Sequence, residues 1–212
     1  MFVKTSLGYT FETDDPAAKV GKRIVVPPPP VGERSTVSDR VMNFMAQMYG
    51  RQKEWNQKKM GRFAAPDGLH HFPDYILNLD VPRLKTFLTK FCSVNATLAA
   101  HYSRTSDAHT PEVWMKCKHE TLARELQYLW HRVGVRTRVT YRKQLGKWLV
   151  LNSGSASYLQ IRELLMNSKN PNLVSRAKKI DRYVPLKFRV MDTEFTDRVV
   201  EISDTPFDSD SS

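Results

Sequence analysis

The sequence predicts an α+β fold, an αββαββα unit whose strands form a twisted antiparallel sheet, with a small N-terminal β/helix extension. Three observations carry this. Apolar residues recur at helical spacing around residues 39–48, 81–93, 118–133 and 157–166. Runs with a period of two occupy 96–102, 113–117, 135–142 and 147–151. From Asp80 to Asn167 the order is therefore helix, strand, strand, helix, strand, strand, helix. At 212 residues and 41% apolar content the chain suits one ordinary domain, alone or with a small appendage, and can bury a real core.

Residues 2–26 read as short strands, with Tyr9 and Phe11 alternating against polar neighbours and Ile24 to Val26 as a second apolar run. Pro27 to Pro30 end regular pairing, because proline holds φ fixed and donates no hydrogen bond. Pro27 to Ser35 is a stiff connector, so residues 1–37 form a first division. Ser38 is a good N-cap for a helix over Asp39 to Met48, with Val41, Phe44, Met45 and Met48 on one face and Gly50 at its end. Residues 51–72 are basic and poorly periodic, with Trp55 and Phe63 set among cations.

Asp80 caps the next helix, with Val81 and Pro82 in its first turn and Leu84, Phe87, Leu88 and Phe91 as its apolar stripe. Two strands follow, Ala96 to Tyr102 and Val113 to Cys117, separated by a polar stretch. A long helix from about Lys118 to Val133 turns Leu122, Leu126, Leu129 and Val133 inward and stops at Gly134. After a basic hairpin, a last helix covers about Ser157 to Met166, with Ile161, Leu164 and Leu165 apolar. Residues 38–191 make the main division, and 192–212 an acidic segment whose end, from Ser203, is expected to be disordered.

The hairpin is the most informative stretch. From Arg132 to Val150 there are six Arg or Lys residues and no acid. Period two sends Val135, Thr137, Val139 and Tyr141 to one face, while Arg136, Arg138, Thr140 and Arg142 go to the other. Lys143 to Gly146 is a turn, and Lys147 to Leu151 the return strand. Such a ribbon can lie along a nucleic-acid groove or a single strand, with guanidiniums reaching phosphates or base edges. The plainer alternative, a hairpin that is cationic for solubility, fits less well because such surfaces usually mix both signs.

The formal charge of +11 is uneven. Residues 192–212 carry seven acids against one arginine, a net −6 that leaves +17 on residues 1–191. A basic body with an acidic tail points to polyanion binding, with a tail able to compete for the same surface or to dock on a protein partner. A second basic patch, Arg176 to Arg189, interleaves Tyr183 and Phe188 with Lys178, Lys179 and Arg182; aromatic rings among cations suit unpaired bases, although a solvated loop with core aromatics reads equally well.

Other chemistries find little footing. His70, His71, His101, His109, His119 and His131 have no zinc-ligand spacing, and Cys92 and Cys117 read as reduced core thiols. No glycine-rich phosphate loop and no nucleophile triad can be picked out. No apolar run approaches 18 residues and the N-terminus lacks a signal-peptide core, so the expectation is a soluble, cytoplasmic protein without a membrane partner.

The segments Phe72 to Leu98 and Glu120 to Val135, in this element order, resemble the LAGLIDADG homing-endonuclease fold, especially the form carried inside inteins. The likeness is best over 72–167. Arg40 to Gly50 resembles a remnant first signature helix, and residues 7–30 and Asp197 to Asp204 resemble pieces of an intein splicing domain. The resemblance implies that each signature helix should end in a metal-holding acid. Here those positions are Tyr49 and Asn95, neither a carboxylate, and Lys90 stands where a small helix-packing residue is expected. Splicing residues are also missing, since the chain begins with Met1, has Thr13-Asp14-Asp15-Pro16 at the histidine block and ends in Ser212. A retained nucleic-acid-binding scaffold without catalysis is implied, acting alone, as a homodimer through the 81–93 helix, or with 38–50 as a surrogate partner helix. A looser likeness is to small basic RNA-binding proteins of nucleus-forming large phages, which implies a messenger-RNA chaperone in the cytoplasm of an infected bacterium.

The leading expectation is thus a non-catalytic nucleic-acid-binding protein favouring RNA or single strands over duplex DNA, with no metal and no cofactor. Its expected contacts are Arg136, Arg138, Arg142, Lys143 and Lys147, then Arg104, Lys116, Lys178, Lys179 and Arg182. One alternative is a metal-dependent DNA endonuclease using acids such as Asp39, Asp80 or Asp107. The other is an assembly or transcription factor that docks through its acidic tail.

Overall fold

A computed structural model describes residues 1–7, 9–16, 18–27, 37–52, 60–63, 65, 67–103, 108–184 and 196–206. The architecture is α+β, and the chain divides into two units, Met1–Pro28 with Asp192–Ser212, and Pro29–Met191.

In the smaller unit, β1 (Phe2–Thr5) pairs with β2 (Thr10–Glu12), and β8 (Thr196–Ser203) lies between β1 and β3 (Arg23–Val25), giving the order β2-β1-β8-β3. Every pairing is antiparallel, with Val3 opposite Ile202 and Ile24 opposite Asp197. Val3, Ala18, Ile24 and Val199 form its small core. The expected three-way division is corrected here. Part of the acidic segment is an inner strand, because Val199 supplies buried apolar surface and the β8 backbone supplies hydrogen bonds that β1 and β3 need. Ser203, expected to begin a disordered end, pairs with Phe2; residues 207–212 lie outside the described residues.

The larger unit begins with α1 (Asp39–Arg51), capped by Ser38, whose Oγ accepts from the Val41 amide at 3.4 Å. A short α2 (Asp74–Leu77) leads into α3 (Val81–Asn95), where Asp80 accepts from the Arg83 amide at 2.9 Å. α1 and α3 pack side by side and parallel. Arg83 pairs with Asp39 at their N-terminal ends (3.4 Å), and Asn95 donates to the Gly50 carbonyl at their C-terminal ends (2.7 Å).

Two expectations about α1 are corrected. Gly50 does not stop the helix; it admits close approach, since a Cβ there would lie 2.4 Å from Val94 Cγ2 and 3.2 Å from the Phe91 carbonyl oxygen. Met45 and Met48 are buried as expected, together with Met42, Ala46 and Tyr49, while Val41 and Phe44 are only half-buried, because contact with α3 selects the stripe that carries the small residues. The α3 face beside α1 is thereby covered within the chain.

The second sheet contains β4 (Thr97–Ser103), β5 (Ala108–Cys117), β6 (Thr137–Arg142) and β7 (Lys147–Asn152), in the antiparallel order β4-β5-β7-β6. α3, α4 (Glu120–Arg132), α5 (Gly154–Met166) and α6 (Pro171–Ile180) cover one face. Leu98, Val113, Met115, Cys117 and Val150 from that face join Phe87, Phe91, Leu126, Trp130, Ile161 and Leu165 in the core. Both cysteines are buried free thiols, and burial pushes the Cys117 pKa up to about 12.

α6 is an element the sequence reading passed over in favour of a basic patch. Asn170 caps it through the Leu173 amide (3.3 Å), Pro171 starts it, and Leu173, Ala177 and Ile180 are its buried stripe. Tyr141 is a further correction. Its alternation is as expected, but it lies beyond the helical cover, 51% exposed, with its ring 5.2 Å from that of Trp148. Among the described residues, no helix is long and apolar enough to cross a membrane.

Candidate nucleic-acid interface

The face of the second sheet away from the helices is built by strict alternation. Register places Thr97, Trp114, Leu151 and Arg138 in one row across the four strands, and Lys116, Leu149 and Thr140 in the next. Arg142 stands opposite Lys147 at the hairpin end, which closes through Lys143–Leu145 and Gly146 in a left-handed conformation (φ 57°). Arg136 immediately precedes β6, and its carbonyl accepts from the Ser153 amide at 3.1 Å, which continues the pairing and gives it the parity of Arg138. The start of β6 is anchored from below, where the Gln127 side chain donates to the Thr137 carbonyl at 3.0 Å.

Five of the expected contacts, Arg136, Arg138, Arg142, Lys147 and Lys116, are thus on one face. Arg138, Arg142 and Lys116 are exposed, while Arg136 and Lys147 are half-buried. Lys143 is exposed in the turn of the same hairpin. Lys178 and Lys179, exposed on the last turn of α6, and Arg182 just after it belong to the helical side of the sheet, so they do not join this row. Arg104 lies outside the described residues, as do Asp107, Trp55 and Phe188.

Two members of the face, Glu112 and Trp114, escaped the sequence reading. Glu112 is its single acid among the described residues, and it is already engaged, 2.8 Å from His101 Nε2 and 3.5 Å from Arg138 Nη2. Its charge compensates that of Arg138, which leaves Arg142, Lys147 and Lys116 as the cations of the paired strands that it does not engage. Trp114 lies between His101, whose ring is 5.7 Å away and 29° from parallel, and Arg142, whose guanidinium carbon is 5.8 Å from the indole centroid. The Trp114 indole N–H is buried and meets no acceptor among the described residues. The signal was present: in Glu112-Val113-Trp114-Met115-Lys116-Cys117, polar or amphipathic residues alternate with apolar ones.

The end of this face nearest Lys116 is fixed by two carboxamides. β4 begins at Thr97 opposite Trp114, so among the described residues the next stretch of β5 has no strand on that side. Asn95 fills the gap by accepting from the Lys116 amide (2.7 Å) and donating to its carbonyl (3.1 Å). Gln52 donates to the same carbonyl (2.6 Å) and accepts from the Lys118 amide (2.8 Å). Gln52 holds a left-handed φ of 47°, a conformation costing about 1 kcal/mol for a non-glycine residue, which the two hydrogen bonds offset. Beside this end, the His119 and His70 rings stack at 3.6 Å. Burial, then electrostatic interaction with His70, Lys118 and Lys147, holds the His119 pKa below its ordinary value.

The positions read as lost acids have structural employment. The Tyr49 hydroxyl is buried, donates to the carbonyls of Gly68 (3.1 Å) and His71 (2.6 Å), and burial raises its pKa. Asp39 and Asp80 lie at the opposite end of the helix pair from Asn95, about 20 Å away along the length of α3. Among the described residues no group of three or more His, Cys, Asp or Glu side chains is arranged to hold a metal ion.

Compared with known proteins, the chain matches no protein-family model and no curated protein.

Proposed function

We propose that this chain is a non-catalytic nucleic-acid-binding protein whose ligand lies on the helix-free face of the β4-β5-β7-β6 sheet. The observation that carries the reading is the shared parity of Arg136, Arg138, Arg142, Lys147 and Lys116 on a face whose single described acid is already bonded to His101 and Arg138. Cations on a rigid sheet neutralise phosphates and release counterions, the sequence-independent source of affinity for nucleic acid. Trp114 and the aliphatic stems of the arginines add surface on which a base can stack.

RNA and single strands are preferred over duplex DNA in this reading. Four strands at the usual spacing make a platform only about 15 Å across, which suits one strand better than a long duplex tract. Support also comes from α1, the remnant first signature helix of the LAGLIDADG resemblance, which packs along α3 and is followed by no sheet of its own before α3 among the described residues. The neutral side chains Tyr49 and Asn95, and the structural bonds they make, favour binding without cleavage. Action as a messenger-RNA chaperone in a phage-infected bacterium rests on the looser likeness alone.

The test is binding of labelled single-stranded RNA, single-stranded DNA and duplex DNA over a salt series with Mg²⁺ present, followed by inspection of the strands. Salt-sensitive binding that favours RNA and leaves strands intact is expected. Mg²⁺-dependent cutting of duplex DNA would overturn the non-catalytic reading, and the absence of binding to all three ligands would overturn the whole.

A further inference from the structure

Resting on that function, we infer that the protein has a second subsite for unpaired bases on the helical side of the same sheet, reached around the β4 edge and made by Tyr102, His109, Tyr183 and Arg182. β4 is an edge strand, and its consecutive residues His101 and Tyr102 present a ring to each face. His101 stacks on Trp114 on the helix-free face. Tyr102 points the other way, 54% exposed, and stands opposite His109 with ring centroids 5.4 Å apart. The turn after α6 brings Tyr183 to the far side of His109, at 4.6 Å and 34° from parallel. Arg182 completes the row, its guanidinium carbon 4.7 Å from the Tyr183 centroid and its Nη2 donating to the Tyr183 hydroxyl at 2.7 Å.

The surroundings favour a polyanion. Arg176, Lys178, Lys179 and Arg182 are exposed along α6 and its following turn. Asp181, the acid in that stretch, is held bidentately by Arg162 at 2.7 to 3.1 Å, so its charge is compensated. Exposed and half-buried rings beside exposed cations are what a flexible strand recognises, through stacking on bases and contacts to phosphates. A duplex cannot offer its bases to such a row, and one continuous single strand crossing the β4 edge meets Trp114 and His101 on one side and Tyr102, His109 and Tyr183 on the other.

The experiment compares four forms of the full chain: wild type, Tyr102→Phe/Tyr183→Phe, Tyr102→Leu/Tyr183→Leu, and Arg136→Glu/Arg138→Glu/Arg142→Glu. Each is titrated with a 20-nucleotide unstructured RNA and with duplex DNA of the same length. The phenylalanine pair should bind RNA as wild type does, because rings are retained. The leucine pair should weaken RNA binding by roughly tenfold or more while leaving duplex affinity within about twofold. RNA binding by the leucine pair within about twofold of wild type overturns the subsite, as does an equal loss on duplex or an equal loss in the phenylalanine pair. The arginine variant reports on the hairpin alone. Should it bind as wild type does, the functional reading fails whatever the tyrosines do.

Discussion

Asn95 makes three backbone hydrogen bonds with one carboxamide, two as donor and one as acceptor, and so completes a sheet edge that no strand covers among the described residues. A carboxylate has the same shape but no donors. Asn95→Asp would face the Gly50 and Lys116 carbonyls with negative charge, and a loss of about 2 kcal/mol is expected, read as a lowered urea midpoint. Stability equal to wild type would mean that the carboxamide is not what holds the edge. His131 sets a second residue-level expectation. It is buried in α4, and burial pushes its pKa down to about 4 from 6.5. As pH falls, the unfolded chain therefore takes up the proton before the folded one. The stability that His131 contributes is complete above pH 6.5 and is lost between there and about pH 4, an effect of roughly 3 kcal/mol. Urea unfolding at pH 7.5 and 4.5 should show a smaller acid loss in His131→Gln than in wild type; equal losses would contradict the assignment.

At the scale of elements, the parallel pair α1 and α3 is set by what Gly50 lacks. Gly50→Ala gains helix propensity of about 1 kcal/mol but forces Val94 and the Phe91 carbonyl aside, so a net destabilisation of about 1 kcal/mol is expected. Val94→Ala removes the nearer obstacle, and the double variant should recover much of the loss in thermal unfolding; no recovery would place the strain at the backbone of α3. This pair also marks a limit of sequence reading. A glycine near a helix end reads locally as a stop, and only the neighbouring helix reveals that it is a contact. The capped helices and period-two strands from Asp80 to Asn167 were legible because their signals are local: Asp80 before Pro82, Gly134 after the α4 stripe, alternating arginines in β6. Glu112 and Trp114 carried the same alternation as Lys116, which was among the expected contacts, and were equally readable. The Asn95 and Gln52 clamp was not, since it depends on where β4 begins relative to β5.

For the whole molecule, long-range pairing decides what local signals cannot. The C-terminal acidic segment looked like a tail by charge, yet Thr196–Ser203 is the strand that joins β1 to β3 in the smaller unit. Any test of the acidic tail as a docking peptide must therefore cut beyond Ser203, since an earlier cut removes a sheet strand. In the larger unit, the cations gather on two surfaces instead of one, because β6 and β7 present theirs away from the helices while α6 presents its own on the helical side. The hairpin surface carries the central claim.

The most direct measurement is the affinity of wild type and of Arg136→Glu/Arg138→Glu/Arg142→Glu for one single-stranded RNA between low and physiological salt. Each phosphate contact on a single strand contributes about −0.7 to the slope of log affinity against log salt. The account predicts a steep wild-type slope, with the variant weaker by well over tenfold at low salt and its slope shallower by about two, in line with three contacts removed. Equal affinities and equal slopes would contradict it and place the nucleic-acid surface elsewhere on the chain.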